Sequence, residues 1–461
     1  MNSQTSKKSC LILIDSDIVI RAFVEGKAFD ELRKKFDLTF AYAKDTTSEK
    51  KYINVDLSTY VSDEVISCEI PRKRMGYWYF LFVAQALFVN RGTDNYNLIK
   101  HYKFYVELGK RNTTFIALFS QRFIFPIFKF LFKKVMGSHQ PILEMIEEVN
   151  PDLVIYPTLL TGPFINDILP ITKQKGIKCI FCMNSWDNPS SKAISVGEPD
   201  KLVVWGEQSK FESIRYLGIS KDKIEIFGAA QFQIYRQESS LNKNELSKKF
   251  QVPPGRRIIL YAGNGDSNDE TIFLEKLDKA VTNKILPNCH IIYRPHPWRG
   301  KLRSGEKDFF ACKWEHVSMD PHMEEFYKST IKKPTGKFFM IEYEVTRDLL
   351  LLASGVVSAR STLLLEAMVN GVPILILYPH EIKSKDFSVD YVHFKRLTEN
   401  KLIENCFDLE KLENQLRGLH AQILDKSYGT ILKEIVSEFA IMDGDTYAIR
   451  LLKLAEELVN E

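Results

Sequence analysis

Short runs of consecutive apolar residues alternate with longer segments whose apolar positions recur every three or four residues, and this alternation holds along most of the chain. CLILID, DLTFAYA, DLVIYP, CIFCMN, KLVVWG and KIEIFG read as strands in the first half, and RIILYAGN, CHIIYRPHP, KFFMIEY, GVVSA and PILILYP in the second. Strands that alternate with helical segments predict parallel sheets joined by crossover helices, hence an α/β protein. Between the two series lies QESSLNKNELSKKFQVPPGRR, which is polar and ends in Pro-Pro-Gly, as suits a linker and the opening helix of a new domain. The expected organisation is therefore a domain over 1–235, a second over 236–440 and a closing helix over 441–461.

One region departs from this pattern. Met75 to Asn90 carries no charge, yet it is shorter than the roughly 20 residues that span a bilayer. Phe115 to Met136 interleaves phenylalanines with Arg122, Lys129, Lys133 and Lys134. Two readings stay open for it: a helix pair packed on the first sheet with Pro126 as a break, or peripheral contact with an anionic membrane surface.

Composition narrows the classes. With 461 residues, of which 45% are hydrophobic, the chain supplies more than one core. Its 63 basic and 59 acidic residues are too evenly balanced for a nucleic-acid binder, so an anionic ligand has to be met locally. Seven scattered cysteines imply reduced thiols, and Cys179 and Cys182 in CIFCMN should point to opposite faces of one strand, which argues against a metal site. The first apolar run is too short for the core of a signal peptide, so the expected location is cytoplasmic, at most at the inner face of the cell membrane.

Candidate chemistry gathers where strands of the second series end. VSARSTLLLEAMVNGVPILILYP reads as strand, helix and strand, with Gly371 where a helix C-terminus takes a positive φ. Arg360, Ser361 and Thr362 then fall at the helix start, where unpaired N–H groups and the helix dipole favour an anion such as a phosphate. The alternative is that Ser361 or Ser358 is only a cap and Arg360 a solvated residue. Glu366, four residues after Thr362, is placed to accept hydrogen bonds from ribose or sugar hydroxyls, or else is a buried carboxylate paired with a cation. Two more loops should leave the same sheet edge: Gly263-Asn264, which offers exposed backbone N–H groups, and RPHP, whose prolines stiffen a turn bearing Arg294 and His296.

Taken together, RPHP after a strand, SARSTLLLEAMVNGVPILIL, and NSWDNPSSKAISVGEPDKLVVWGEQSKFESIRYLGISKDKIEIFGAAQFQIY resemble bacterial glycosyltransferase-like proteins of the GT-B fold. These include CDP-glycerol glycerophosphotransferases, capsule and surface polysaccharide transferases, and non-hydrolysing UDP-N-acetylglucosamine 2-epimerases. The resemblance covers Asp152 to Pro379, and the first 150 residues by strand order alone. It implies two Rossmann-like domains about a cleft, an acceptor side formed by the first and a nucleotide-donor side by the second, with Asp445 to Glu461 crossing back to the first domain. It also implies a nucleotide-activated sugar as substrate, linked to UDP, CDP or CMP, a glycan or lipid-linked acceptor, and no separate cofactor. SARSTLLLE has no glycine between Ser358 and Glu366, where the epimerases carry a glycine-rich segment.

An inverting transfer needs a base for the acceptor hydroxyl. Asp15 and Asp17 close LILIDSD and Asp187 follows CIFCMNSW, so all three are candidates, each with a helix-cap role as the alternative. Lys192 is a candidate for neutralising the departing phosphate. No compact acidic pair marks a metal site in the second domain. Other readings are a nucleotide-sugar epimerase, a polyol-phosphate transferase and a non-catalytic nucleotide-binding scaffold.

Overall fold

The computed structural model describes residues 7–49, 51–100, 113–158, 162–193, 197–263, 269–297, 307–332, 341–378 and 391–460. The chain divides into two compact units. One is formed by Met1–Gln233, Phe387–His393 and Glu438–Glu461, the other by Ile234–Asp386 and Phe394–Ser437.

The first unit is built on seven parallel strands: β1 (Lys8–Ile14), β2 (Phe36–Lys44), β3 (Glu64–Glu69), β4 (Leu153–Thr158), β5 (Lys178–Met183), β6 (Lys201–Val204) and β7 (Ile224–Ile226). Their order is β3-β2-β1-β4-β5-β6-β7. Alternate residues of each strand serve opposite faces. Leu11 and Leu13 belong to one core, with the helix Arg72–Asn90, whereas Cys10, Ile12 and Ile14 belong to the other, with the helix Tyr447–Asn460. Cys179 and Cys182 divide between the two cores in the same way, and both are free thiols. The uncharged Met75–Asn90 stretch lies within Arg72–Asn90 and buries Trp78, Leu81, Phe82 and Val83. Among the described residues, no helix is long and apolar enough to cross a membrane.

The second unit carries six parallel strands: β8 (Arg257–Ala262), β9 (Cys289–Arg294), β10 (Val317–Met319), β11 (Ala353–Ser358), β12 (Ile374–Leu377) and β13 (Glu404–Cys406). Their order is β10-β9-β8-β11-β12-β13. In both sheets the first strand is third in the order and the fourth lies beside it. The chain therefore reverses its direction of winding between β1 and β4, and again between β8 and β11, the positions where doubly wound sheets open a crevice at their carboxyl edge.

KFFMIEY is not a strand where it is described. Ile341 and Glu342 precede the helix Tyr343–Leu352, whose Val345, Leu349 and Leu352 are buried at helical spacing, and the rest of the run lies outside the described residues. The third and sixth strands of this sheet are instead β10 and β13, of three residues each.

Candidate functional site

The register of the second sheet brings three of the expected loops to one level. Ala262, the last residue of β8, pairs with Arg294 on one side and Ser358 on the other, each the last residue of its strand. Gly263 N–H donates to the Arg294 carbonyl at 2.8 Å and the buried Ser358 hydroxyl to the Ala262 carbonyl at 2.9 Å, so the three strand ends are tied together. Ser358 is thus a fastener. Gly263 is needed for close approach: a Cβ there would come within 2.7 Å of the Glu270 carboxylate, which is buried and accepts from the Tyr293 hydroxyl at 2.6 Å. Asn264 lies outside the described residues.

Past β11, the Ser361 hydroxyl accepts from Leu363 N–H at 3.2 Å, a local turn bond one residue ahead of the helix N-cap, Thr362. The Thr362 hydroxyl makes no hydrogen bond to the described residues. Arg360 is half-buried, with its guanidinium over the Tyr378 ring, 4.0 Å from the centroid. Glu366 accepts a short hydrogen bond from the Tyr235 hydroxyl. Burial and the Glu366 charge push the Tyr235 phenol well above its ordinary value, which keeps it protonated as the donor.

Arg294 turns inward. It is only 7% exposed, its Nε donates to Asp320 at 2.6 Å and its Nη1 to Thr346 at 3.1 Å. Burial alone would raise the Asp320 carboxyl, but the Arg294 charge and hydrogen bonds from His322 and Arg294 outweigh it and hold it at about 2. The remaining nitrogen, Nη2, is buried and has no hydrogen-bond partner among the described residues. His296 follows in the same turn and is half-buried.

In the first unit all three acidic candidates take part in local structure. Asp15 is buried at the end of β1 and accepts from Tyr156 and Thr158 of β4, each at 2.8 Å, and from Ser16 at 3.0 Å. It bridges the two strands of the winding reversal, beneath a backbone where only Gly162 fits, because a Cβ would lie 2.0 Å from its Oδ2. Asp17 accepts from Asn54 N–H at 2.7 Å and from the Asn54 side-chain amide at 2.6 Å, pinning that loop. Asp187, after β5, is half-buried and accepts from the Ser191 hydroxyl at 3.3 Å, beside Trp186, whose ring packs edge-on to Phe439. Lys192 ends the helical turn Asn188–Lys192, and its side chain lies outside the described residues.

Burial raises the Asp15 carboxyl, and the hydrogen bonds from Tyr156, Thr158 and Ser16 only partly oppose it. A carboxyl that holds its proton to higher pH folded than unfolded loses stability as pH rises through that interval, starting near the unfolded value of about 4. Asp15→Asn keeps an acceptor for both hydroxyls and removes the titration. The expected result is that the melting temperature of this variant, relative to wild type, climbs from pH 4 to pH 7. A difference flat with pH would mean that Asp15 titrates normally in the folded protein. Asp15→Ala should instead destabilise at every pH by about 1–3 kcal/mol for each stranded hydroxyl.

No protein-family model and no curated protein sequence matches the chain. Among solved structures, a Listeria monocytogenes protein provisionally named UDP-N-acetylglucosamine 2-epimerase superposes with a TM-score of 0.51 at 12% identity, over 99% of this chain and 97% of that one. The fold is GT-B. Two other similar structures are the glycotransferase of kitacinnamycin, with TM-score 0.49, 11% identity and coverage of 98% of this chain and 99% of that one, and the wall teichoic acid polymerase TagF, with 0.46, 9%, 98% and 89%. At those scores they add nothing to the assignment. A GT-B fold hosts transferases and epimerases alike, so activity has to be argued from the side chains. Among the described residues of this GT-B chain, no group of three or more His, Cys, Asp or Glu side chains is placed to hold a metal ion.

The GT-B sheet edge also uses residues that the sequence reading passed over: Tyr235, Glu270, Asp320, Thr346 and Tyr378. Only Tyr378 carried a signal, an aromatic residue closing the strand that follows the candidate helix. The others are partnered across 23 to 131 positions of the chain, which no local pattern reports.

Proposed function

We propose that the protein is a glycosyltransferase that moves a sugar from a UDP-, CDP- or CMP-linked donor to a surface glycan or lipid-linked acceptor. The observation that carries this reading is Arg294: a buried guanidinium, fixed at two nitrogens by Asp320 and Thr346, with its third nitrogen unpartnered among the described residues, at the end of a strand beside the winding reversal. A buried donor left unmade is costly, and a phosphate oxygen is the acceptor that suits a fixed guanidinium. Arg360 and the Thr362 hydroxyl, at the end of β11 on the other side of β8, would hold the remaining phosphate oxygens. Glu366, already polarised towards hydroxyl donors by Tyr235, would take ribose or sugar hydroxyls.

In the transfer, the acceptor oxygen attacks the anomeric carbon and the bond from that carbon to the phosphate oxygen breaks. The nucleotide leaves with the bonding pair, and the acceptor proton passes to a carboxylate of the first unit. Asp187 is our candidate for that role; Asp15 lies buried beneath Gly162 and both oxygens of Asp17 accept from Asn54. The cations at the donor site and Lys192 offset the charge on the leaving phosphate. Calorimetric titration with UDP, CDP and CMP tests the core of the reading: one of them should bind at micromolar to millimolar concentration, and the absence of binding by all three would overturn it.

A further inference from the structure

The helix Phe125–Met136 is apolar on both sides. Its inward side carries Phe125, Phe128 and Phe132, which pack on the helix Arg72–Asn90: Phe88 stacks on Phe125 at 4.6 Å, Phe80 meets Phe128 at 6.4 Å and Trp78 meets Phe132 at 5.8 Å. A surface helix normally turns polar residues to the other side. Here that side bears Ile127, Phe130, Leu131 and Val135, at spacings of three and four, with exposures of 63%, 67%, 53% and 86%. Phe123, one turn earlier, is 84% exposed, and Phe115 and Leu118 of the neighbouring helix Thr113–Phe119 are exposed as well. Scattered exposed apolar residues need no explanation, but one contiguous cluster marks a surface for a partner.

The charges around this cluster indicate the partner. Arg122 and Lys134 stand exposed within it. At its border, Lys133 joins Lys173 and Lys223 around a cavity of about 360 Å³, also lined by Asn166, Pro170 and Glu198. Glu198 is paired with Lys223 at 3.1 Å, so three lysines face one carboxylate. One turn inward, Lys129 donates to Gln85 at 2.8 Å; burial and the charge of Lys133 lower its ammonium to about 8, with Glu198 opposing. Burial, followed by the charge of Lys173, lowers Lys133 too. Crowded, half-buried ammonium groups beside an apolar face gain when an anion joins them.

We propose that this face docks on an anionic phospholipid membrane, with Phe123, Ile127, Phe130, Leu131 and Val135 entering the headgroup–acyl boundary and the Lys133–Lys173–Lys223 cavity receiving a lipid phosphate. A helix lying in the interface plane combines apolar burial with attraction to anionic headgroups, and both are present here. The assignment is independent of nucleotide binding.

Flotation with phosphatidylcholine vesicles, with and without phosphatidylglycerol, tests it on the full chain. Wild type should float with the mixed vesicles, release at high salt and stay largely behind with the neutral ones. An Ile127→Ser, Phe130→Ser, Val135→Ser variant changes only exposed side chains and should lose vesicle binding by roughly tenfold or more. A Lys133→Gln, Lys173→Gln variant should lose the preference for phosphatidylglycerol and keep its melting temperature. Failure of wild type to float would overturn the proposal. So would flotation that neither variant reduces, or a wild-type dimer that the serine variant dissociates without any vesicle binding, which would make the face an interface between two copies of the chain.

Discussion

Replacing Arg360 by alanine should lower nucleotide affinity about ten- to hundred-fold, the worth of a charged hydrogen bond at about 1.5–3 kcal/mol, and leave the fold in place. The guanidinium lies on the face of Tyr378 and Arg360 is half-buried at the end of a turn, so its removal opens no core. Thr362→Val should act in the same direction with less effect, because that hydroxyl does no structural work among the described residues. Ser361→Ala is the structural control: loss of its hydrogen bond to Leu363 N–H should cost about 1 kcal/mol of stability whatever binds nearby. His296→Ala should weaken the same ligand. Glu366→Gln, which still accepts from Tyr235, should affect a whole nucleotide more than inorganic phosphate. Calorimetric titrations with matched melting curves separate these cases. Unchanged affinity in the Arg360 and Thr362 variants would move the nucleotide away from this turn.

Asp187→Asn should retain donor affinity and lose turnover by about 10²- to 10⁴-fold, the usual contribution of a positioned general base. Asp17→Asn should show the other pattern. Both Asp17 oxygens accept from Asn54, so the amide substitution turns one acceptor into a donor facing donors, and the loss should be in melting temperature. Acceptor-dependent release of free nucleotide, measured for both variants at saturating donor, distinguishes a base from a loop pin. Full turnover in Asp187→Asn would assign the proton to another group.

The cores were the most legible part of the chain. A run such as LILI or ILIL is apolar at every position because both faces of a parallel strand are covered, and that composition is present whatever the run pairs with. Strand order was legible only in outline. β10 and β13 have three residues each, too few for an alternation to repeat, and β3 places Ser67 and Glu69 among its apolar residues. The described end of KFFMIEY has the same root: Ile341 and Glu342 carry no turn signal that would mark them as the lead-in to the helix Tyr343–Leu352.

The candidate site divided along the same line. The sequence determined that Arg294, His296, Arg360, Ser361, Thr362 and Glu366 stand at or just past strand ends, because strand, turn and helix start are set by neighbours a few positions apart. It also contained a local backbone bond as one of two alternatives for the Ser361 hydroxyl. Only the tertiary structure decided that Arg294 spends two of its nitrogens on Asp320 and Thr346, that Tyr235 meets Glu366, and that Asp15 joins β1 to β4 through Tyr156 and Thr158. The same holds for the phenylalanines of 125–136: their spacing shows a helix, but the packing of Arg72–Asn90 decides which of them point away from the core. Periodicity is a property of adjacent residues, whereas the partner of a buried charge or ring is whatever the parallel sheet, wound through crossovers, brings alongside it, and that neighbour can be more than a hundred residues away.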